Sequence, residues 1–466
     1  MIAGKESISY FHLPAIIVSR KRYSMKILFV SLGCDKNLVD SENMLGMLAE
    51  KGYEFTDDEA EADIAVVNTC CFIGDAKEES INTLLQMGEL KDSGQLRGLI
   101  AAGCLAQRYR EEIQKEIPQV DAIVGTTAVE DIAAAVEETL AGQASNHYRS
   151  IDAPPIAGRK RMVTTGGHFA YLKIAEGCDK HCTYCIIPKV RGKFRSVPME
   201  SLLEEAETLA ESGVKELILV AQETTLYGVD LYGKKSLPEL LRRLDGVAGI
   251  QWIRILYCYP EEITEDLIDA IATLPKVCHY LDIPIQHASD GVLKRMGRRT
   301  DEQALREIIG RLREKIPDIC LRTTLISGFP GETQEDFEEL YRFVNEMEFD
   351  RLGVFPYSRE EDTPAADMEE QIAEEVKLSR RDELMELQQA IAFEKAESLV
   401  GQVLTVMIEG KVADEDTYVA RTYRDAPNVD GYLFLNTTAN LMTGDFARVL
   451  VTDSNEYDLI GELYHE

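Results

Sequence analysis

Short apolar runs alternate with helix-like segments along most of the chain, and this alternation restricts the fold more than any other feature. In the first half the apolar runs are Lys26–Leu32, Asp63–Asn68, Gly98–Ala102 and Ala122–Val124. Helical patterns follow them at about 37–51, 75–90, 105–116 and 128–140. Strand–helix alternation of this kind predicts a parallel sheet with helices on both faces. We therefore expect residues 25–147 to form an α/β domain with a doubly wound parallel sheet.

A second series of strand and helix patterns begins near residue 167. Its strand candidates are Ala170–Ala175, Glu216–Ala221, Trp252–Tyr257, Tyr280–Ile285, Leu321–Ser327 and Arg351–Pro356. Helix-like segments lie near 199–212, 237–246, 262–274, 301–315, 333–347 and 368–398. Six successive strand–helix units predict a six-stranded partial barrel over residues 167–399, related to the eight-stranded TIM barrel. The Pro- and Gly-rich residues 148–166 are predicted to be the linker between the two domains.

The two ends of the chain differ from the rest. After about residue 400 the pattern changes to short β-like runs, which predict a small all-β barrel over residues 400–466. Residues 1–24 place their basic cluster after a short apolar run, the reverse of a secretory signal. We interpret them as a disordered extension or a mis-assigned start. No apolar run approaches the roughly 18 residues of a membrane span, so we expect a cytoplasmic protein without a membrane partner.

The spacing of three cysteines carries the strongest chemical signal. Without a secretory signal, the ten cysteines of the chain are expected to be reduced thiols. Cys178, Cys182 and Cys185 follow the first strand of the second series, and thiolates are the ligands that iron–sulfur clusters require. Three of them can hold three irons of a four-iron cluster and leave the fourth open to S-adenosylmethionine (SAM). A zinc site would need a fourth ligand, for which only His181 is near, and a redox disulfide would need a thioredoxin-like context.

A second group of cysteines is spread along the N-terminal stretch. Cys34, Cys70 and Cys104 each end a predicted parallel strand. Because such strand ends converge on one crevice in a doubly wound sheet, the three thiols are expected to meet there. The alternative is that each of these cysteines is simply a buried packing residue, because cysteines are common in protein cores. Of the adjacent pair Cys70 and Cys71 only one can face the crevice, and we select Cys70. The remaining cysteines, Cys258, Cys278 and Cys320, are interpreted as packing residues.

From about Lys26 onward the chain resembles the methylthiotransferase group of radical-SAM enzymes. The matching motifs are Ser31–Cys34, Asn68–Ile73, Lys173–Arg191 and Gly328–Glu332. The resemblance implies a cluster domain, a radical-SAM barrel and a C-terminal TRAM domain. It also implies two 4Fe-4S clusters, held by the six cysteines, with SAM bound at the second. In this group a 5′-deoxyadenosyl radical removes hydrogen from carbon, and a methylthio group is inserted. We expect no residue to act as a catalytic acid or base.

Three polar residues at strand ends are candidates for the SAM pocket by position. Gln222 and Glu223 end the second barrel strand, and His287 ends the fourth. A purely structural hydrogen-bonding role is the alternative for His287.

Members of the group differ in substrate. Some modify tRNA beside the anticodon, whereas one branch modifies the β-carbon of an aspartate in ribosomal protein S-twelve. The chain resembles the second branch in its segments YLDIPIQHAS and LVAQETT and in a loop from Asp425 to Gly431. Residues 401–466 contain twelve acidic and four basic residues, a net charge of −8, and the whole chain carries −32. Such acidity disfavours nucleic acid and suits a basic protein, so S-twelve is the predicted partner and Asp425 and Asp430 its predicted docking groups. The alternative for these two aspartates is that they only cap their own turn.

Two alternatives remain open from the sequence. One is a tRNA methylthiotransferase with the same chemistry. The other is a non-enzymatic iron–sulfur protein for electron transfer or sensing, which would favour complete cysteine ligation over two sites of three thiols. The enzyme would need an electron donor such as flavodoxin or ferredoxin and a sulfur donor that the sequence does not identify.

Overall fold

A computed structural model of the chain describes residues 25–158 and 160–465. The interpretation of residues 1–24 as an extension or a mis-assigned start lies outside the described residues. Within them, no helix is both long and apolar enough to cross a membrane.

The N-terminal domain is built on a six-stranded parallel sheet. Its strands are β1 (Lys26–Ser31), β2 (Glu54–Thr56), β3 (Ile64–Thr69), β4 (Gly98–Ala102), β5 (Ala122–Val124) and β6 (Ser145–His147). The spatial order is β2-β1-β3-β4-β5-β6. The sequence patterns predicted the four central strands and missed β2 and β6. These two are three-residue strands at the edges of the sheet, too short for a recognisable alternation.

Helices cover both faces of this sheet, as predicted. They are α1 (Asp35–Glu50), α2 (Gly74–Asp92), α3 (Gly103–Tyr109), α4 (Glu111–Glu116) and α5 (Ile132–Leu140). The apolar residues of α1 and α5 form one core with the sheet, and those of α2, α3 and α4 form the other. The helix predicted over 105–116 is two helices, because Arg110 has a φ of +47° and interrupts it.

The central domain is an open sheet of six parallel strands surrounded by helices. Its strands are β7 (Phe169–Lys173), β8 (Ala175–Glu176), β9 (Arg195–Ser196), β10 (Glu216–Val220), β11 (Trp252–Ile255), β12 (Val277–Asp282), β13 (Cys320–Ser327) and β14 (Arg351–Pro356). The six long ones lie in the order β14-β13-β12-β11-β10-β7, and β8 and β9 form a separate antiparallel ribbon. This arrangement confirms the predicted partial barrel.

Nine α-helices of the described chain belong to the central domain. They are α6 (Ile187–Arg191), α7 (Met199–Glu211), α8 (Val229–Tyr232), α9 (Leu237–Asp245), α10 (Glu265–Thr273), α11 (Asp290–Arg295), α12 (Glu302–Lys315), α13 (Gln334–Met347) and α14 (Glu374–Glu397). Local sequence determines several of their ends. Thr333 and Asp336, for example, form a reciprocal capping box that begins α13. Leucine, isoleucine and valine side chains between these helices and the sheet form the largest core of the molecule.

The C-terminal domain is a closed five-stranded barrel, as predicted. Its strands are β15 (Val403–Lys411), β16 (Thr417–Thr422), β17 (Leu433–Asn436), β18 (Phe446–Asn455) and β19 (Asp458–Leu463). It is joined to the central domain through buried charges. Glu216 accepts hydrogen bonds from Arg254 and from Arg421 of the C-terminal barrel, both at 2.7 Å, and all three side chains are fully buried. Burial would raise the pKa of Glu216, but the two guanidinium charges outweigh it and lower that pKa.

Candidate functional site

The first cysteine site lies at the carboxyl edge of the N-terminal sheet. Cys34 precedes α1, Cys70 follows β3 and Cys104 lies in the first turn of α3. Two glycines with positive φ bring these ends together, Gly33 at +87° and Gly103 at +87°. A Cβ atom at Gly33 would lie 2.7 Å from Cβ of Cys70, so only glycine allows this approach.

The thiols of this site are close enough to influence one another's charge. Burial raises the pKa of Cys70, and the neighbouring Cys34 raises it further. Burial also raises the pKa of Cys104, against the opposing charge of Arg191, and Cys71, Cys70 and Cys34 add to the rise. Cys71 is fully buried beside Arg108, and burial raises its pKa to about 11. The choice of Cys70 over Cys71 as the ligand stays a prediction.

The second cysteine site is the loop between β8 and α6. Cys178 and Cys182 are buried and Cys185 is half-buried. The backbone N–H of Cys178 donates to Gly192, and that of Cys185 donates to Cys182. Burial raises the pKa of Cys178 to about 12, and the charges of Glu223 and Cys182 add to the rise.

The donor set of each site, three cysteine thiols, is of the kind that holds an iron–sulfur cluster. Among residues 25–158 and 160–465, no three His, Cys, Asp or Glu side chains are placed to hold one ion. In a four-iron cluster each thiolate binds a different iron, so the ligands lie further apart than around one ion. His181, the fourth ligand that a zinc site would need, is exposed. A donor set of three cysteines therefore fits an iron–sulfur cluster with one open iron at each site.

The three residues predicted for the SAM pocket have different surroundings. Gln222 accepts from the N–H of Gly177 at 2.9 Å and donates to Glu176 at 2.8 Å, so its amide holds the loop that leads to Cys178. Glu223 accepts from Thr225 through Oε1, while its buried Oε2 has no hydrogen-bond partner. Burial raises the pKa of Glu223 to about 7. Its contact with SAM stays a prediction: Oε2 lies 3.9 Å from Nζ of Lys180, beyond hydrogen-bond distance, so it can still accept a hydrogen bond from a ligand.

His287 is fully buried. Its Nδ1 accepts from the N–H of Ser289 at 2.9 Å, which requires the proton on Nε2 when the ring is neutral. Nε2 makes no hydrogen bond within the described residues and lies 3.7 Å from Glu332. The first contact supports the structural alternative for His287, whereas the free Nε2 leaves a donor available to a ligand.

Sequence patterns missed three residues that surround the second site. Lys180 forms ion pairs with Glu262 and, at 3.7 Å, with Glu261. The hydroxyl of Tyr259 lies 3.5 Å from the sulfur of Cys182, and Arg298 stacks on the Tyr259 ring at 4.2 Å. Two nitrogens of Arg298 are buried without a hydrogen-bond partner. Lys180 stands inside the Cys178–Cys185 motif, but its ion pairs were not predicted. No motif marks Tyr259 or Arg298, because segments far apart in sequence bring them to this loop.

The prediction that Asp425 and Asp430 are exposed docking groups is wrong. Asp425 is 3% exposed, accepts a hydrogen bond from Thr422 at 2.7 Å and pairs with Arg351 of the central domain. Asp430 accepts from the hydroxyl of Tyr280 at 2.8 Å and from the N–H of Ala426 at 2.8 Å. Both carboxylates are directed into the interface between the two barrels, so they attach one domain to the other.

A cleft of about 480 Å³ also lies at this interface, lined by Arg351, Met385, Gln388, Tyr432 and Tyr457 among others. Arg351 begins β14, whereas the cysteines follow the carboxyl ends of their strands. The cleft is therefore at the opposite end of the central sheet from the cysteine loop.

Comparison with known proteins agrees with this architecture. The family model described as Uncharacterized protein family UPF0004 matches residues 26–125, that of the Radical SAM superfamily matches 172–344, and that of the TRAM domain matches 400–463. The solved structure of the radical S-adenosylmethionine methyltransferase TsrM from Kitasatospora setae aligns with a TM-score of 0.51. It covers 84% of this chain and 79% of that one at 15% identity, a likeness of fold alone.

The fold and the three-thiol loop define a radical-SAM enzyme with an additional N-terminal domain and a TRAM domain. Curated relatives named "Ribosomal protein uS12 methylthiotransferase RimO" match nearly the full chain. The protein of Lachnoclostridium phytofermentans is 63% identical over 94% of this chain and 99% of its own. That of Acetivibrio thermocellus is 51% identical over 95% and 99%. The chain belongs to this RimO family of methylthiotransferases, whose cofactors are SAM and 4Fe-4S clusters.

Proposed function

We propose that this enzyme methylthiolates the β-carbon of an aspartate in ribosomal protein uS12, the S-twelve of the small subunit. The observation that carries the proposal is the full-length similarity to relatives named for that reaction, at 63% identity in the first case. Two sites of three cysteines, in domains that contact each other, support the same chemistry. A substrate that belongs to the ribosome supports a cytoplasmic location for the enzyme.

Six cysteines are proposed to hold the two clusters. Cys34, Cys70 and Cys104 would hold one, and Cys178, Cys182 and Cys185 would hold the one that binds SAM. When bound, these cofactors supply the reductive cleavage of SAM and the sulfur for transfer, chemistry that no side chain of the protein can perform. Flavodoxin or ferredoxin is the proposed electron donor.

The residues of the chain would bind, orient and shield the reactants. Oε2 of Glu223 and Nε2 of His287 make no hydrogen bond within the described residues, so they are an acceptor and a donor that a SAM molecule could satisfy. Tyr259 lies against Cys182 and Arg298 stacks on Tyr259, so together they would keep water from that sulfur. Gln222 would fix the backbone before Cys178 by accepting the hydrogen bond of the Gly177 N–H.

The surface of the C-terminal barrel supports a basic protein as the substrate. Of its four basic residues, Arg421 is fully buried against Glu216, and Arg424 is largely buried and pairs with Asp350. Six of its acidic residues are exposed: Asp414, Glu415, Asp416, Asp453, Glu456 and Glu462. A surface of this sign would attract a basic ribosomal protein and repel the phosphates of tRNA.

The proposal is tested by incubating reduced, reconstituted enzyme with SAM and either uS12, small subunits or tRNA. Mass spectrometry of uS12 peptides is expected to find a methylthio group on one aspartate, and nucleoside analysis of the tRNA is expected to find none. A methylthio group on tRNA alone would establish the tRNA alternative. If the chain produces no 5′-deoxyadenosine from SAM, the reading as an electron carrier or sensor would be favoured.

A further inference from the structure

Arg191 lies between the two cysteine sites and contacts both of the domains that carry them. It is the last residue of α6, directly after the cysteine loop of the central domain, and its guanidinium enters the N-terminal domain. Its Nε and Nη2 both lie 3.3 Å from the sulfur of Cys104. The side chain is 2% exposed, so water does not compete for these contacts.

Every N–H of the Arg191 guanidinium has an acceptor. Nη2 also donates to Oδ1 of Asn37 at 2.6 Å, and Nη1 donates to Asp40 at 2.6 Å and to Glu176 at 3.1 Å. An arginine has five such hydrogens in a fixed planar fork, and here all five are used. The fork thus has one orientation, with one edge directed at Cys104.

The carboxylates that hold Arg191 are themselves held by the central domain. Lys173 forms ion pairs with Asp40 and with Glu176. Burial would raise the pKa of Glu176, but the charges of Lys173 and Arg191 outweigh it and lower that pKa. Gln222 donates to the other oxygen of Glu176 and accepts from Gly177, the residue before Cys178. Hydrogen bonds therefore continue from Cys104 through Arg191 and Glu176 to the second cysteine loop.

We propose that Arg191 is a positioning residue that hydrogen-bonds the Cys104 thiolate and thereby raises the reduction potential of the N-terminal cluster. This inference rests on the proposed function, because it takes Cys104 to be a cluster ligand. Reduction adds a negative charge to a cluster. A cation and two N–H donors at one ligand sulfur stabilise that charge, and hydrogen bonds to sulfur are among the factors that set cluster potentials. Asp40 and Glu176 contribute by fixing the guanidinium.

The test uses full-length chain in which Cys178, Cys182 and Cys185 are replaced by alanine, so that only the N-terminal cluster is present. Redox titration followed by electron paramagnetic resonance then reports one potential. Arg191→Met is expected to lower the ratio of reduced to oxidised cluster at fixed potential at least tenfold, which is a shift of about 59 mV for one electron. Arg191→Lys keeps the charge and loses the fork, so its shift is expected in the same direction and smaller.

Arg254→Lys is the matched control. Arg254 is equally buried and paired with a carboxylate at a domain interface, but it contacts no proposed ligand. The reduction potential of the cluster in the Arg254→Lys variant should equal that in the parent chain. Unchanged potentials in both Arg191 variants would overturn the proposal.

A second measurement needs no folded Arg191→Met protein. In parent chain labelled with ¹⁵N-arginine, pulsed resonance of the reduced cluster should detect a guanidinium nitrogen, and this coupling should disappear in Arg191→Lys. Its absence from the parent chain would refute the contact with Cys104. A parent chain that binds no iron would instead refute the ligand assignment of the proposed function, and this inference with it.

Discussion

Arg191 of the central domain and Cys104 of the N-terminal domain are 3.3 Å apart, although 87 residues separate them in the chain. This contact is part of a buried network that also includes Asp40, Lys173 and Glu176. Breaking one partner of a buried ion pair is costly, so the network holds the two domains in one arrangement. Cys104 thus lies at the interface of the two domains, and hydrogen bonds continue from Arg191 through Glu176 and Gln222 to Gly177, the residue before Cys178.

Replacement of each cysteine triplet by alanine should separate the cleavage of SAM from the insertion of the methylthio group. Without Cys178, Cys182 and Cys185 we expect about half of the iron to remain, because each site takes one cluster, and no cleavage of SAM. Without Cys34, Cys70 and Cys104 we expect half of the iron, continued production of 5′-deoxyadenosine and no methylthio product. Iron analysis and chromatography of the nucleoside products measure both.

The control for this experiment is Cys71→Ala. Because Cys71 packs beside Arg108 in the hydrophobic core of the domain, this variant should retain both clusters. Loss of half of the iron in Cys71→Ala would move the ligand from Cys70 to its neighbour.

Glu223→Gln should weaken SAM binding without loss of iron. Oε2 of Glu223 is buried and has no hydrogen-bond partner, and a hydrogen bond to a charged group contributes about 1.5–3 kcal/mol. We expect the Kd for SAM to rise about tenfold, which corresponds to ~1.4 kcal/mol. Equilibrium binding to reconstituted protein tests this, with the exposed Glu239→Gln as control. A Kd equal to that of the wild type would place SAM away from Glu223.

His168 should make the attachment of the C-terminal barrel dependent on pH. Its Nε2 lies 2.7 Å from Glu409 of β15. Burial would lower the pKa of His168, but the hydrogen bond and charge of Glu409 outweigh it and raise that pKa. The folded chain then holds this proton more tightly than the unfolded chain. The resulting stability is fully present below pH ~6.5 and is lost as the pH rises through the raised folded pKa.

Thermal unfolding of His168→Gln across this range checks the sign. We expect the Tm of the variant to lie below that of the wild type near pH 6, and the difference to shrink towards pH 9. His279→Gln removes a more exposed pair with Asp318, which solvent screens, and should change Tm little. A difference for His168→Gln that does not vary with pH would contradict the assignment.

Asp425→Ala should destabilise the protein, because it leaves Arg351 without its main partner in the interface. Loss of one partner from a buried ion pair costs about 3 kcal/mol or more. We expect a lowered Tm, whereas Asp416→Ala, which removes only a long surface pair with Lys411, should unfold like the wild type. If Asp425→Ala kept the wild-type Tm and lost only affinity for uS12, the carboxylate would be a docking group after all.

Binding of uS12 should depend on the exposed acids of the C-terminal barrel. Replacing Asp414, Glu415 and Asp416 by lysine is expected to slow association and to reduce its dependence on salt, because surface charges mainly set the encounter rate. Surface plasmon resonance at two salt concentrations measures both. Production of 5′-deoxyadenosine by the same variant should match the wild type.

The sequence alone determined the three domains and the two groups of cysteines. Strand–helix alternation is a local pattern. It located ten of the twelve strands that form the two six-stranded sheets of the first two domains. The cysteines could be assigned because parallel strand ends converge wherever the sheet is formed. The edge strands β2 and β6 were not predicted, because three residues are too few to show an alternation of apolar and polar side chains.

Which charged residues are buried, and against which partners, depends on contacts that form when the chain folds. Asp425 and Asp430 lie in a polar loop that is typical of an exposed surface, yet their partners Arg351 and Tyr280 come from distant strands. In the same way, nothing local distinguishes Arg191 from a solvated arginine. A buried charge is stabilised by partners that the chain brings together only on folding, so its role cannot be read from its neighbours in sequence.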